Sequence, residues 1–227
     1  MAQEYPRWFL NPSDLPCQDI VAGYAKPSFH LDSSVNQAVL SGAEIYIKYS
    51  NSHLTGGEAY WSTEAGVAWM GSEITLQYDS AAVAVTAVTL QPIDTVYSQD
   101  LVIVLLSKGH CELDKRSRKR VAIKDLDTPS WINSIPQDGR YLYAMGQAPK
   151  YYYEISSWIE AEERTLKSLA KSIGVEVQAM QKVSQAGQEI RHETYSVSLC
   201  DVQTVARWWD LNDGVFYVLL RMPKNVK

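Results

Sequence analysis

Four histidines (His30, His53, His110, His192) and three cysteines (Cys17, Cys111, Cys200) are the residues of this 227-residue chain best suited to metal or nucleophilic chemistry. Their spacing supplies neither. No histidine stands in an HExxH or CxxC context, and His192 beside Glu193 is too small a constellation to hold an ion. His110 next to Cys111 could lower a thiol pKa, but nothing in the sequence positions a third group to orient the pair. Solvated or hydrogen-bonded histidines are therefore expected. The cysteines are too few and too scattered for a zinc site or a disulfide scaffold. Ordinary thiols with no bridge are the expectation, and one bridged pair in an oxidising compartment is the alternative. Gly56, Gly57, Gly66 and Gly71 form neither a GxxxxGK nor a GxGxxG phosphate loop. The paired carboxylates Glu162 and Glu163 are expected on the outer face of a helix. No catalytic, cofactor-binding or metal-binding residue can be assigned, and no cofactor is expected.

Two other groups of residues carry more weight. Tyr151, Tyr153 and Trp208, within the runs Tyr151 to Tyr153 and Trp208–Trp209, could stack on sugars or on a partner protein. Adjacent aromatics in a strand point to opposite faces, so one member of each pair is expected in the core. The tract Lys115, Arg116, Arg118, Lys119 and Arg120 could contact a polyanion such as a glycan or lipid head group. A solvated linker or a charge-defended strand edge is the plainer expectation, since Glu112, Asp114, Asp125 and Asp127 flank the tract and offset its field. A net charge of −5 argues against general nucleic-acid binding.

The elements that must position these residues repeat. Pro6, Trp8, Gly23 and Ala25 recur as Pro129, Trp131, Gly146 and Ala148 at one offset of 123 positions. Pro and Gly answer specific backbone demands and Trp a packing demand, so a shared spacing points to two copies of one module. In each copy the Trp is expected to cover the edge of a core. After Trp131 the stretch Asn133 to Gly139 is turn-rich, and a strand from Tyr141 is expected to end at Gly146, where a helix can approach closely.

In the first copy a helix capped by Ser33 or Ser34 runs to about Tyr49, with an apolar stripe of Val35, Ala38, Val39, Gly42, Ala43 and Tyr46. Asn51 to Gly71 reads as loop plus one strand, Glu73 to Leu90 as a strand or hairpin, and Asp100 to Leu106 as a strand. In the second copy Ser157 and Glu160 stand in capping-box spacing ahead of a helix to about Ile173, with Gly174 after it and Ile155, Ile159, Leu166, Leu169, Ala170 and Ile173 on its buried face. Val175 to Val183 and Glu193 to Leu199 are extended. Val202 to Asp210 and Gly214 to Met222 make a hairpin through Asp213-Gly214. Val104, Leu105 and Leu106 match Val218, Leu219 and Leu220 in the closing strands. The expected fold is α+β, each module placing a helix on one face of an antiparallel sheet. The expected division is residues 1–110, a linker 111–127, and residues 128–227. An apolar fraction of 46% with 21% charged residues is that of a folded protein, and no apolar run approaches the roughly 20 residues that cross a bilayer.

The second copy resembles the twenty-kilodalton outer-membrane lipoprotein (LPP-twenty) family, to which flagellar-associated outer-membrane proteins are related. The residues carrying the resemblance are Pro129, Trp131 and Asn133, Tyr141 to Gly146 with Ala148, the helix with Ala161 and Leu169 followed by Ile173, Val175 and Val177, and Trp209, Asp210, Gly214 and Tyr217 to Leu220. It covers about Thr128 to Pro223, and the first copy shares only Pro6, Trp8, Gly23, Ala25 and the helix. The resemblance implies export, a periplasmic or outer-membrane location, and a structural, adhesive or assembly role through contacts with envelope proteins or with itself. It brings no catalytic residues. The family's lipid-bearing N-terminal Cys has no counterpart here, since Cys17 lies inside the first module, so membrane attachment would need an anchor outside this sequence.

Overall fold

The computed structural model describes residues 4–63, 66–173, 180–183 and 189–224. It is a mixed α and β structure built on several small antiparallel sheets. In the first half, β2 (Ile20–Ala25), β5 (Gln91–Tyr97) and β6 (Val102–Ser107) form a sheet of order β2-β6-β5, with α2 (Leu31–Ser50) on one face. In the second, β8 (Tyr141–Pro149), β11 (Gln203–Asp210) and β12 (Val215–Pro223) form a sheet of order β11-β12-β8 against α5 (Glu154–Ile173). Gly23 pairs with Val104 and Gly146 with Val218. The edge strand shifts register between Pro92 and Asp94 in one sheet and between Thr204 and Ala206 in the other.

Each helix is set by a glycine. A Cβ on Gly23 would overlap the Ala38 carbonyl oxygen and lie 2.7 Å from the Gly42 nitrogen, and one on Gly146 would lie 2.6 Å from the Ala161 carbonyl oxygen. The two helices therefore ride directly on backbone. Gly146 sits inside β8 and does not end it; the strand continues to Pro149 because the approach is from the face, which leaves the ladder intact. Both helices begin before the serines expected to cap them. Ser34 and Ser157 are buried in the first turn or just beyond, and each accepts a hydrogen bond from the backbone N–H six residues earlier, Ser28 and Tyr151, at 2.8 Å in both cases. Glu160 closes no capping box and instead pairs with Arg164 at 2.6 Å.

Between the sheets, β3 (Asn51–Thr63) and β4 (Gly66–Gln77) form a long hairpin where one strand was expected. β3 pairs along its length with β10 (Glu189–Cys200), which also carries β9 (Met180–Val183), so one sheet of order β4-β3-β10-β9 takes strands from both halves. The remainder of Glu73 to Leu90 is helical, not extended. Asp79 Oδ1 accepts from the N–H groups of Ala81 and Ala82, and a short 3-10 turn opens α3 (Val83–Thr89). A cap at the start outweighs the strand propensity of the Val and Thr residues that follow. Gly174 and Val175 to Ala179 lie outside the described residues.

The stretch 111–127 is tied down. β7 (Arg120–Ala122) pairs with β1 (Glu4–Pro6), Arg7 N–H donates to the Lys119 carbonyl at 3.0 Å, and Ile123 is buried. Cys17 and Cys111 form a disulfide with Cα atoms 5.3 Å apart, contrary to the expectation of unbridged thiols. The chain between them folds back on itself, as the Lys108 N–H to Asp19 carbonyl bond shows, and brings residues 94 positions apart into bridging range. Cys200 is free.

Candidate functional site

The N-terminal segment is the hinge of the site. α1 (Arg7–Leu10) follows Pro6 and drives Trp8, Phe9 and Leu10 into the core. Phe9 lies edge-on to Tyr24 of the first sheet and to Trp158 of α5, both within 5.8 Å, and stacks on Tyr5. Trp158 continues the cluster to Phe216, which stacks on Trp209. One aromatic core therefore runs from the first sheet into the second.

A buried ion pair lies beside it. Arg207 on β11 donates from Nη2 to Glu162 Oε1 at 2.6 Å and from Nη1 to the Phe9 carbonyl at 3.1 Å, with its guanidinium 4.6 Å from the Phe9 ring centre. The Tyr24 hydroxyl donates to the same Glu162 oxygen at 2.6 Å. Three segments distant in sequence thus share one carboxylate oxygen. Burial pushes the Tyr24 hydroxyl well above the ordinary tyrosine range; Arg207 opposes this and Glu162 reinforces it. Burial works against the charge on Arg207, but Tyr24, Glu162 and Tyr49 outweigh it and raise its pKa. The arrangement holds a permanent charge pair in which each guanidinium nitrogen already donates, which suits joining elements more than exchanging protons.

Glu162 is 4% exposed, which corrects its expected place on the outer face of α5. Trp158, Glu162, Thr165 and Leu169 stand at helical spacing in one stripe, and all four are buried. That stripe was legible and points to Glu162. Ile159, expected in the core, is instead exposed.

Above the pair opens a cleft of about 630 Å³. Leu15 to Ala22 and Asp201 to Thr204 line it as consecutive residues, so strand edges and loop backbone form its walls, with Tyr46, Tyr141 and Arg221 across from them. Asp19 and Asp201, the only non-glycine residues at positive φ among those described, sit at its rim with φ of 52° and 55°. Arg221 is already engaged, donating from Nε to Gln203 at 2.9 Å.

The residues singled out from the sequence are scattered. Tyr151 and Tyr153 are exposed on the loop ahead of α5, at 38% and 49%. Trp208 is 6% exposed and Trp209 is also buried, so neither offers a surface to a partner; both faces of β11 are covered there, which strand alternation alone does not reveal. Lys115, Arg116, Arg118, Lys119 and Arg120 all stand exposed on α4 (Lys115–Arg118) and the start of β7. Asp114 caps α4 through Ser117 N–H, a bond that lowers its carboxyl pKa. Arg118 lies 3.5 Å from Asp94, which accepts from the Trp8 indole at 2.9 Å. His53 lies between the Ser196 and Ser198 hydroxyls, and His30 and His110 are exposed. Among the described residues no group of three or more His, Cys, Asp or Glu side chains is placed to hold a metal. No helix among them is long and apolar enough to cross a membrane.

No family model, no curated protein and no solved structure matches this chain.

Proposed function

We propose that the chain is a non-catalytic protein of the bacterial cell envelope, working in assembly through protein contacts and built from two copies of an LPP-twenty-like module. The observation that carries the reading is how far the 123-position repeat extends. Ser28 to Ser34 and Tyr151 to Ser157 are the same hydrogen bond at equivalent positions. Gly23 under Ala38 and Gly146 under Ala161 are the same close approach. Strand order, glycine register and edge-strand irregularity agree as well. These agreements extend the family resemblance of the second half to the first. The Cys17–Cys111 bridge supports an oxidising compartment. That each guanidinium nitrogen of Arg207 already donates supports a structural use of its buried pair with Glu162.

The test is photo-crosslinking in cells through residues substituted at Tyr151 and Tyr153, followed by identification of the product. Crosslinks to an envelope protein or to a second copy are expected. Crosslinks to cytosolic proteins would sink the reading, and lipid adducts with no protein product at either position would replace it with the second reading. A second reading, a glycan- or lipid-binding module, is favoured by the exposure of Tyr151, Tyr153 and the five cations of the 115–120 tract.

A further inference from the structure

Phe29 and Tyr152 are the two most exposed large aromatic residues described, at 96% and 93%. They stand at equivalent positions of the repeat, each on the loop between a sheet strand and the long helix after it. Each ring has the same local company. Phe29 lies edge-on to His30 at 5.3 Å and Tyr152 edge-on to Tyr153 at 4.8 Å. The two loops also meet, since Lys26 Nζ sits 3.2 Å over the Tyr153 ring. One surface therefore carries Phe29, Leu31, Tyr152 and Tyr153 with Lys26 and Lys150 between and beside them, all exposed.

We propose that these paired loops, residues 26–31 and 150–153, are a membrane-contact surface that seats in the interfacial layer of an anionic phospholipid bilayer. The inference rests on the lipid form of the second reading above and names the surface that serves it. Burying exposed rings is favourable only if something apolar receives them, and these two rings are 96% and 93% exposed. A bilayer interface receives projecting Phe, Leu and Tyr without requiring matched pockets, and its anionic phosphates complement flanking lysines. A rigid protein partner would need a pocket for each projecting ring. Of the acidic groups on or beside these loops, Asp32 and Asp213 are exposed, Asp210 is half-buried and accepts from the Asn212 and Asp213 N–H groups, and Glu154 is buried and accepts from the Tyr5 hydroxyl at 2.6 Å. The loops are also pinned, through Ser28 N–H on Ser34 and Tyr151 N–H on Ser157, so little ordering is needed on contact.

The experiment is vesicle flotation of the full chain with phosphatidylglycerol and phosphatidylethanolamine vesicles, and with phosphatidylcholine alone. Compared with it are the double variant Phe29→Ser with Tyr152→Ser and a tract variant, Lys115→Glu with Arg116→Glu. The chain is expected to float with the anionic vesicles, the loop variant to lose about tenfold or more of that partitioning, and the tract variant to keep it. Thermal melting should be the same for all three, because the substituted side chains are exposed. A loop variant that floats like the parent while the tract variant does not would overturn the proposal and leave a lipid reading through the tract. A parent chain that floats with neither vesicle would overturn both. Loss of self-association in the loop variant, with flotation unchanged, would reassign the surface to a second copy.

Discussion

Glu162 and its neighbour Glu163 differ by one position and have opposite fates. Glu163 is half-buried near the surface, with Lys48 at 3.9 Å, whereas Glu162 holds the buried Arg207 and the Tyr24 hydroxyl. Glu162→Ala should cost about 3 to 5 kcal/mol, because it leaves a guanidinium buried without its counter-charge. Glu163→Ala should stay within about 0.5 kcal/mol. Chemical denaturation of both variants checks the contrast. The same cluster sets a pH dependence. The folded-state pKa of Tyr24 is raised, so its contribution is fully present below the unfolded tyrosine pKa of about 10 and is lost as pH rises toward the folded value. Tyr78 behaves alike: its bond to Glu44, followed by burial, pushes it up to about 12. Stability should therefore fall on the alkaline side, and the fall should be smaller in Tyr24→Phe, which has no phenol to ionise there. An alkaline fall of equal size in Tyr24→Phe would contradict the buried network.

At the scale of elements, the sequence was most readable where one residue type has one physical use. The glycines that face helices, the Asp213-Gly214 hairpin and the apolar stripe of α2 are of this kind, and β11 with β12 lies within a residue or two of its expected bounds. Segments whose partners are distant were not readable. Asn51 to Gly71 reads as loop plus one strand because Gly56 and Gly57 weaken the pattern, yet pairing of β3 with β10 over twelve positions holds β3 extended along its length. The Cys17–Cys111 bridge and the place of Trp208 depend likewise on chain brought in from elsewhere. The glycine reading gives a matched prediction. Gly23→Ala and Gly146→Ala should each destabilise by about 3 kcal/mol or more, since the added methyl meets helix backbone that cannot move aside. Gly139→Ala, whose Cβ would meet nothing, should be close to neutral. Equal melting temperatures for the three variants would remove the close approach from the account.

Over the whole molecule, the two halves are fastened at several points. α1 inserts Phe9 between Tyr24 and Trp158, β3 pairs with β10, and Glu162 of α5 accepts from the Tyr24 hydroxyl. The disulfide closes the return of the first half beside the cleft, and that fastening ties architecture to compartment. A bridge over 94 positions should contribute about 2 to 4 kcal/mol, which is available only where thiols are oxidised. The most direct test of the proposal of an exported, twice-built envelope protein is cysteine mapping in cells that make the chain naturally. Free thiols are blocked at lysis, the cells are fractionated, and non-reduced peptides are identified by mass spectrometry. The account predicts recovery in the envelope fraction with Cys17 joined to Cys111 and Cys200 blocked as a free thiol. Recovery in the cytosolic fraction with all three cysteines blocked would contradict it.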